Sequence, residues 1–193
     1  MKKVGLFFGS FNPIHIGHLI IASYFADHSP LDEIWFVPSP HNPLKNKATL
    51  LDDRQRLYMV QLATEDDSRF KVSNIELHLP QPSYTIHTLT ALHEKHPSYD
   101  FVLIMGSDNL ETLYKWKNYE QIIENHDIYV YLRPDTSIPQ KWNEHPRITF
   151  FQAPLMQISS SFIRQEIKDG HSFEYYLPAK VYRFIEEMNF YKK

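Results

Sequence analysis

Short apolar runs alternate with longer segments whose apolar positions recur at helical spacing, and the alternation spans the chain. "KVGLFF" reads as a buried strand ending at Gly9, and "GHLIIASYFADH" as a helix with Leu19, Ala22, Tyr24 and Phe25 toward a core. "DEIWFVP" is a second strand, closed by Pro38. "LLDDRQRLYMVQLAT" is a helix that Asp52 caps and that buries Leu57, Val60 and Leu62. A shorter strand in "FKVSNIEL" precedes a helix through "YTIHTLTALHEKH". Then come strand "DFVLIM", helix "YEQIIENH", strand "DIYVYL", a polar, proline-bearing loop over residues 134–146, and strand "RITFFQ". Two helices, "SSSFIRQEIKDG" and "PAKVYRFIEEM", complete the pattern. Strands alternating with helices predict an α/β fold, an open parallel sheet with helices on both faces and a small helical C-terminal part.

Composition narrows the function classes. With 193 residues, 42% hydrophobic and 15% aromatic, the chain has enough apolar material for one compact domain over residues 1–193. A formal charge of -3 gives no global basic field, so no nucleic-acid partner is expected and any phosphate site is local. There is no cysteine, hence no disulfide and no thiolate zinc site. The lysine-led apolar run at the start is broken at Gly9, Asn12 and Pro13, too early for a secretory segment. No later run approaches the ~20 apolar residues of a membrane span. The expectation is a soluble cytoplasmic protein without a membrane partner.

Glycine is scarce, five in the chain, well under the usual share of about 7%. Yet Gly9, Gly17 and Gly106 all fall just after predicted strands, as do Pro38 to Lys45 and Arg133. In an open α/β sheet that edge binds ligands, where the strand order reverses. In "FFGSFNPIHIGH", Gly9 is expected to let the backbone turn sharply, Pro13 to stop the strand, and Gly17 and His18 to stand near a helix start. A helix N-terminus offers free N–H groups to an anion, and His15 and His18 beside it can both donate to phosphate oxygens. An isolated H-x-x-H is more often a pair of ordinary half-buried histidines, and no third ligand makes a zinc site. The glycines, the proline and the strand end reverse that preference. "QISSSFIRQEIKDG" supplies a second device: Ser159 as N-cap, Ile158 and Ile163 as a hydrophobic staple, and Gly170 as the stop. Ser160 and Arg164, four apart, share a face near its start, although an arginine there is commonly just a solvated charge.

"GSFNPIHIGH" resembles the G-x-F-(D/N)-P-x-H-x-G-H signature of the HxGH nucleotidyltransferase superfamily. Within it the chain is most similar to the bacterial nicotinate mononucleotide adenylyltransferases. "LDEIWFVP", "PSYTIHTL", "IMGSDNLETLYKWKNYEQI", "LRPD", "ISSSFIRQEI" and "YLPAKVYRFIEEMNFY" follow in the family's order. The resemblance implies a Rossmann-like sheet and transfer of the adenylyl group of ATP to nicotinate mononucleotide, giving nicotinate adenine dinucleotide and pyrophosphate in NAD biosynthesis. It implies Mg2+ carried with ATP, direct attack at the α-phosphorus, and no metal held by protein side chains. His15 and His18 match the catalytic pair. Gly9, Ser10, Phe11, Gly106, Asp108, Ser159, Ser160 and Arg164 match ATP contacts. Lys45, Tyr84, Thr85, Trp116 and Arg133 match the mononucleotide side, with the Trp116 indole a stacking face for a pyridine ring. ATP and nicotinate mononucleotide are the implied partners, and an oligomer is compatible with them.

The sequence departs from the family in places: Phe8-Gly9 for a double glycine, Asn12 for a common Asp, and Asn42-Pro43-Leu44-Lys45 for P-P-H-K. Leu44 removes a histidine contact, which leaves open which groups hold the mononucleotide phosphate, nearby His41 among them. "HIGH" is also a class I aminoacyl-tRNA synthetase signature, but no K-M-S-K-S follows and 193 residues leave no anticodon domain. Phosphopantetheine adenylyltransferases carry Thr where His15 stands and lack the Tyr84-to-Trp116 set. Cytidylyltransferases carry an R-T-x-G-I-S-T-T segment, absent here. A non-catalytic nucleotide sensor would have lost His15, His18 and Arg164.

Overall fold

The structure, a computed structural model, describes residues 1–40, 50–133 and 136–192. Its strands are β1 (Lys2–Gly9), β2 (Glu33–Pro38), β3 (Phe70–Val72), β4 (Tyr99–Gly106), β5 (Ile128–Tyr131) and β6 (Ile148–Phe151). They form one sheet in the order β3-β2-β1-β4-β5-β6, with every neighbouring pair parallel. The chain steps outward from β1 to β3, then returns to β4 on the other side of β1. Strand order therefore reverses between β1 and β4, and a crevice opens there at the carboxyl ends.

The two faces are read from alternate residues. Phe7, Val102 and Ile104 join one apolar cluster, Leu6, Phe101 and Leu103 the other. Helices α1 (Ile16–His28), α2 (Asp53–Thr64), α7 (Ser160–Lys168) and α8 (Ala179–Met188) cover the first face with Phe25, Met59, Ile163 and Ile185 among their contacts. Helices α3 (Thr85–Lys95) and α5 (Tyr119–Asn125), with the one-turn α4 (Ser107–Leu110) and α6 (Gln140–Asn143), cover the second through Leu89, Ile122, Leu110 and Trp142. Each such side chain contributes about 1.5–3 kcal/mol by leaving water. The expected α/β architecture holds, and the C-terminal helices belong to the cover of one sheet face.

Details differ where packing decides the helix phase. α1 buries Ile21 with Ala22 and Phe25, while Leu19 and Tyr24 stay half-buried; α2 buries Arg56, Met59 and Val60 in place of Leu57 and Leu62. "FKVSNIEL" is strand only over Phe70–Val72, the stretch that finds partners on β2, and continues as a 3-10 turn at Ile75–His78. The loop expected over 134–146 contains α6, because Trp142 is buried and its indole N–H reaches the Leu110 carbonyl at 3.1 Å. α7 is bounded as expected. The Ser159 hydroxyl accepts from the Phe162 N–H at 3.1 Å, and Gly170, at φ 75°, closes the end while His171 N–H bonds back to the Glu166 carbonyl. Among the described residues no helix is long and apolar enough to cross a membrane.

Candidate active site

The carboxyl ends of β1, β4 and β5 and the starts of α1, α3 and α7 surround a cavity of about 870 Å³ at the reversal point. That is ample for a nucleotide-sized ligand. Gly9, Ser10, Phe11, His15, His18, Tyr84, Thr85, Gly106, Asp108, Trp116, Arg133, Ser159, Ser160 and Arg164 all line it. Lys45, with His41 and Leu44, lies outside the described residues.

The loop from β1 to α1 forms one wall. Gly9 was expected to make the sharp turn, but the left-handed residue is Phe11, at φ 43°. Gly9 instead provides room, since a Cβ there would lie 2.9 Å from the Phe11 ring. Phe11 is 1% exposed and packs edge-on against Phe7 and His18. Its ring is thus core, and only its backbone is left to meet a nucleotide.

His15 is the N-cap of α1, and His18 stands three residues in. Their rings lie against each other at a tilt, centroids 3.7 Å apart and planes at 32°. The His15 backbone N–H donates to His18 Nδ1 at 3.2 Å. A ring nitrogen that accepts carries no proton, so neutral His18 keeps its proton on Nε2. The glycine of H-x-G-H has a steric reason as well: a Cβ on Gly17 would lie 3.0 Å from both His15 Nδ1 and Ile158. Burial, with Arg133 as a lesser cause, lowers the His15 pKa to about 4. His18 is pushed well below its ordinary value by burial first, then by His15 and Arg133. Both imidazoles are therefore neutral near pH 7. His15 Nδ1 is buried with no hydrogen-bond partner among the described residues, a condition that costs about 1–3 kcal/mol.

The second sequence device docks on the first. Arg164 Nη1 donates to the Asn12 carbonyl at 2.8 Å, and the Ser160 hydroxyl to the Pro13 carbonyl at 2.8 Å. Arg164 is half-buried and also bonds Ser161 at 3.1 Å, so it is no free surface charge.

Opposite, Arg133 Nε lies 3.4 Å from Asp108 Oδ1, and its Nη2 donates to the Tyr131 hydroxyl at 3.0 Å. Gly106 lets this pair close over the backbone, for a Cβ there would lie 2.7 Å from Arg133 Nε. At the far end, Tyr84 is the N-cap of α3 and makes no side-chain cap. Trp116 is half-buried nearby, and the Lys117 ammonium lies 4.6 Å over the Tyr84 ring, joining the two segments.

Two residues escaped sequence reasoning. Arg56, fully buried, donates to the carbonyls of Ser10, Ser39 and Leu51 and pairs with Asp53, tying together the loops after β1 and β2. The available signal was its phase, three and four residues before the buried Met59 and Val60. Glu76, also buried, lines the cavity and accepts from the Thr88 hydroxyl at 2.7 Å; burial raises its pKa.

A Rossmann-ordered sheet whose reversal point carries paired imidazoles at a helix start and an arginine-bearing second helix defines a nucleotidyltransferase. Residues 6–166 match the Cytidylyltransferase-like family. A probable nicotinate-nucleotide adenylyltransferase of Flavobacterium johnsoniae is 57% identical over 99% of this chain and 100% of its own. Another from Bacteroides fragilis is 47% identical over 95% of this chain and 90% of its own. The chain belongs to the cytidylyltransferase-like family and, within it, to the nicotinate-nucleotide adenylyltransferases. The solved Plasmodium falciparum nicotinic acid mononucleotide adenylyltransferase complexed with NaAD has the same fold, with a TM-score of 0.84, 21% identity, and 99% of this chain and 98% of that chain covered.

Proposed function

We propose that this chain, as one nucleotidyltransferase domain in the cytoplasm, transfers the adenylyl group of ATP to nicotinate mononucleotide for NAD biosynthesis. A 5′-phosphate oxygen of the mononucleotide attacks the α-phosphorus, the bond to the bridging oxygen breaks, and pyrophosphate leaves as nicotinate adenine dinucleotide forms. The carrying observation is the close His15–His18 ring pair at the start of α1, centroids 3.7 Å apart, with His18 holding its proton on Nε2. The nucleophile is already ionised, so the protein's task is alignment and charge stabilisation, not proton removal.

His18 Nε2–H donates to the oxygens that gain charge as pyrophosphate departs. His15, whose Nδ1 has no hydrogen-bond partner among the described residues, lines the same wall; Arg164 supplies positive charge toward the triphosphate and Arg133 toward the mononucleotide. Gly9, Ser10, Gly106, Asp108, Ser159 and Ser160 bound the ATP side. Among the described residues no three His, Asp or Glu side chains converge as a metal cage. Mg2+ would enter on the triphosphate as part of the substrate and would neutralise phosphate charge there. At the other end, the uncapped start of α3 offers the N–H groups of Thr85 and its neighbour to a carboxylate, beside the Trp116 face. Lys45 is assigned to the mononucleotide phosphate by family likeness.

The test is product formation from MgATP with nicotinate mononucleotide, nicotinamide mononucleotide and phosphopantetheine side by side. The acid mononucleotide is expected to be the preferred acceptor, and an amide or pantetheine preference overturns the reading. His18→Ala is expected to lower kcat on the order of 10²-fold or more. Near-normal turnover would remove His18 from the mechanism.

A further inference from the structure

We infer that Tyr191 is a positioning residue for adenylyl transfer: through Asn12, its hydroxyl fixes the loop that aims His15 and His18. The kinetic part of this inference rests on the function proposed above. Asn12 is 2% exposed and is held from three distant parts of the chain. The Tyr191 hydroxyl donates to its Oδ1 at 2.7 Å, the Leu51 N–H to the same oxygen at 3.3 Å, and Arg164 to its carbonyl at 2.8 Å. Away from water such bonds meet little competition.

The chain goes to some length to deliver this hydroxyl. Asn189 at φ 53° and Tyr191 at φ 64° are left-handed, and together they turn the backbone after α8. Such conformations in residues other than glycine persist where their surroundings determine them. Phe190 packs edge-on against Phe184, centroids 5.5 Å apart, and holds the turned segment against the core. Burial raises the Tyr191 pKa, so the hydroxyl stays protonated and a donor across the working range.

Three residues after Asn12 comes His15, whose N–H sets the proton position on His18. Arg164 and Ser160 grip the backbone of the loop at Asn12 and Pro13, whereas Tyr191 grips the Asn12 side chain, which the Leu51 N–H also holds. Removing that hydroxyl leaves the fold and the binding surfaces intact and loosens the aim of the imidazoles. Its signature is a loss in kcat without a matching change in KM.

The experiment compares wild type, Tyr191→Phe, Asn12→Ala and the double variant. Tyr191→Phe keeps the ring and is expected to lower kcat about tenfold, the scale of one well-placed hydrogen bond. KM for both substrates should stay within about twofold. If Tyr191 acts through Asn12, the double variant matches Asn12→Ala alone. A second measurement needs no turnover: side-chain 15N signals of the ligand-free protein should show His18 as one Nε2–H tautomer in wild type and as a mixture in Tyr191→Phe. Wild-type kcat in Tyr191→Phe, or full additivity in the double variant, overturns the inference. If wild type forms no dinucleotide, the functional reading fails instead, and an unchanged His18 signal then overturns the role of Tyr191 by itself.

Discussion

A Cβ added to Gly17 would lie 3.0 Å from Nδ1 of His15, so the missing side chain at one position sets where the imidazole of the other can lie. Ile158, from the segment leading into α7, closes the same space at 3.0 Å. Gly17→Ala must therefore displace the His15 ring or the chain before α7. We expect a stability loss of about 1–3 kcal/mol, with kcat reduced more than ATP binding. Urea unfolding and steady-state kinetics of the variant check both, and unaltered kcat would mean that ring placement is not critical.

Burial of His15 fixes the sign of a pH effect. Its folded pKa is about 4, below the ordinary value near 6.5. Between those two values the unfolded chain binds a proton that the folded chain refuses, so stability falls as pH drops from about 6.5 toward 4. The scale is on the order of 3 kcal/mol for this one group. His15→Asn should show a shallower decline than wild type across this window in denaturant unfolding at stepped pH. Parallel curves would mean that His15 is not held neutral by the fold.

Arg164 contacts both the loop and the cavity, and its removal should act on both. Arg164→Ala is expected to raise KM for ATP about tenfold or more, as a lost charge-assisted contact does. Losing the bond to the Asn12 carbonyl should also cost about 1–3 kcal/mol of stability. Melting curves with and without ATP separate the two effects. Normal nucleotide affinity in a destabilised variant would leave Arg164 a purely structural role.

On the proposed function, Trp116 and the start of α3 would divide the recognition of the pyridine ring between them. An indole stacks on an acid or an amide ring alike, whereas N–H donors favour a carboxylate over an amide by about 1–3 kcal/mol. Trp116→Ala should raise KM for both mononucleotides by similar factors and keep the acid preference. Ratios of kcat/KM in wild type and variant decide it, and a lost preference would put discrimination on the indole.

The alternation of apolar runs with helical patterns was legible because strand and helix periods are local properties, and with them came the parallel sheet. The H-x-G-H segment and the Ser159 cap were likewise readable, since spacing and capping act within a few residues. Other features depend on partners remote in sequence. The buried side of α2 follows from where the sheet lies, which is why Arg56 turned inward and Leu57 did not. Its bonds to Ser10 and Ser39 span 46 and 17 residues, and the bond from Tyr191 to Asn12 spans 179. The sequence by itself determined the chemistry available at each strand end, because residue type and local spacing carry it. Only the tertiary structure decided how those groups are aimed, because a carbonyl or a carboxamide is oriented by whichever donor the fold brings to it.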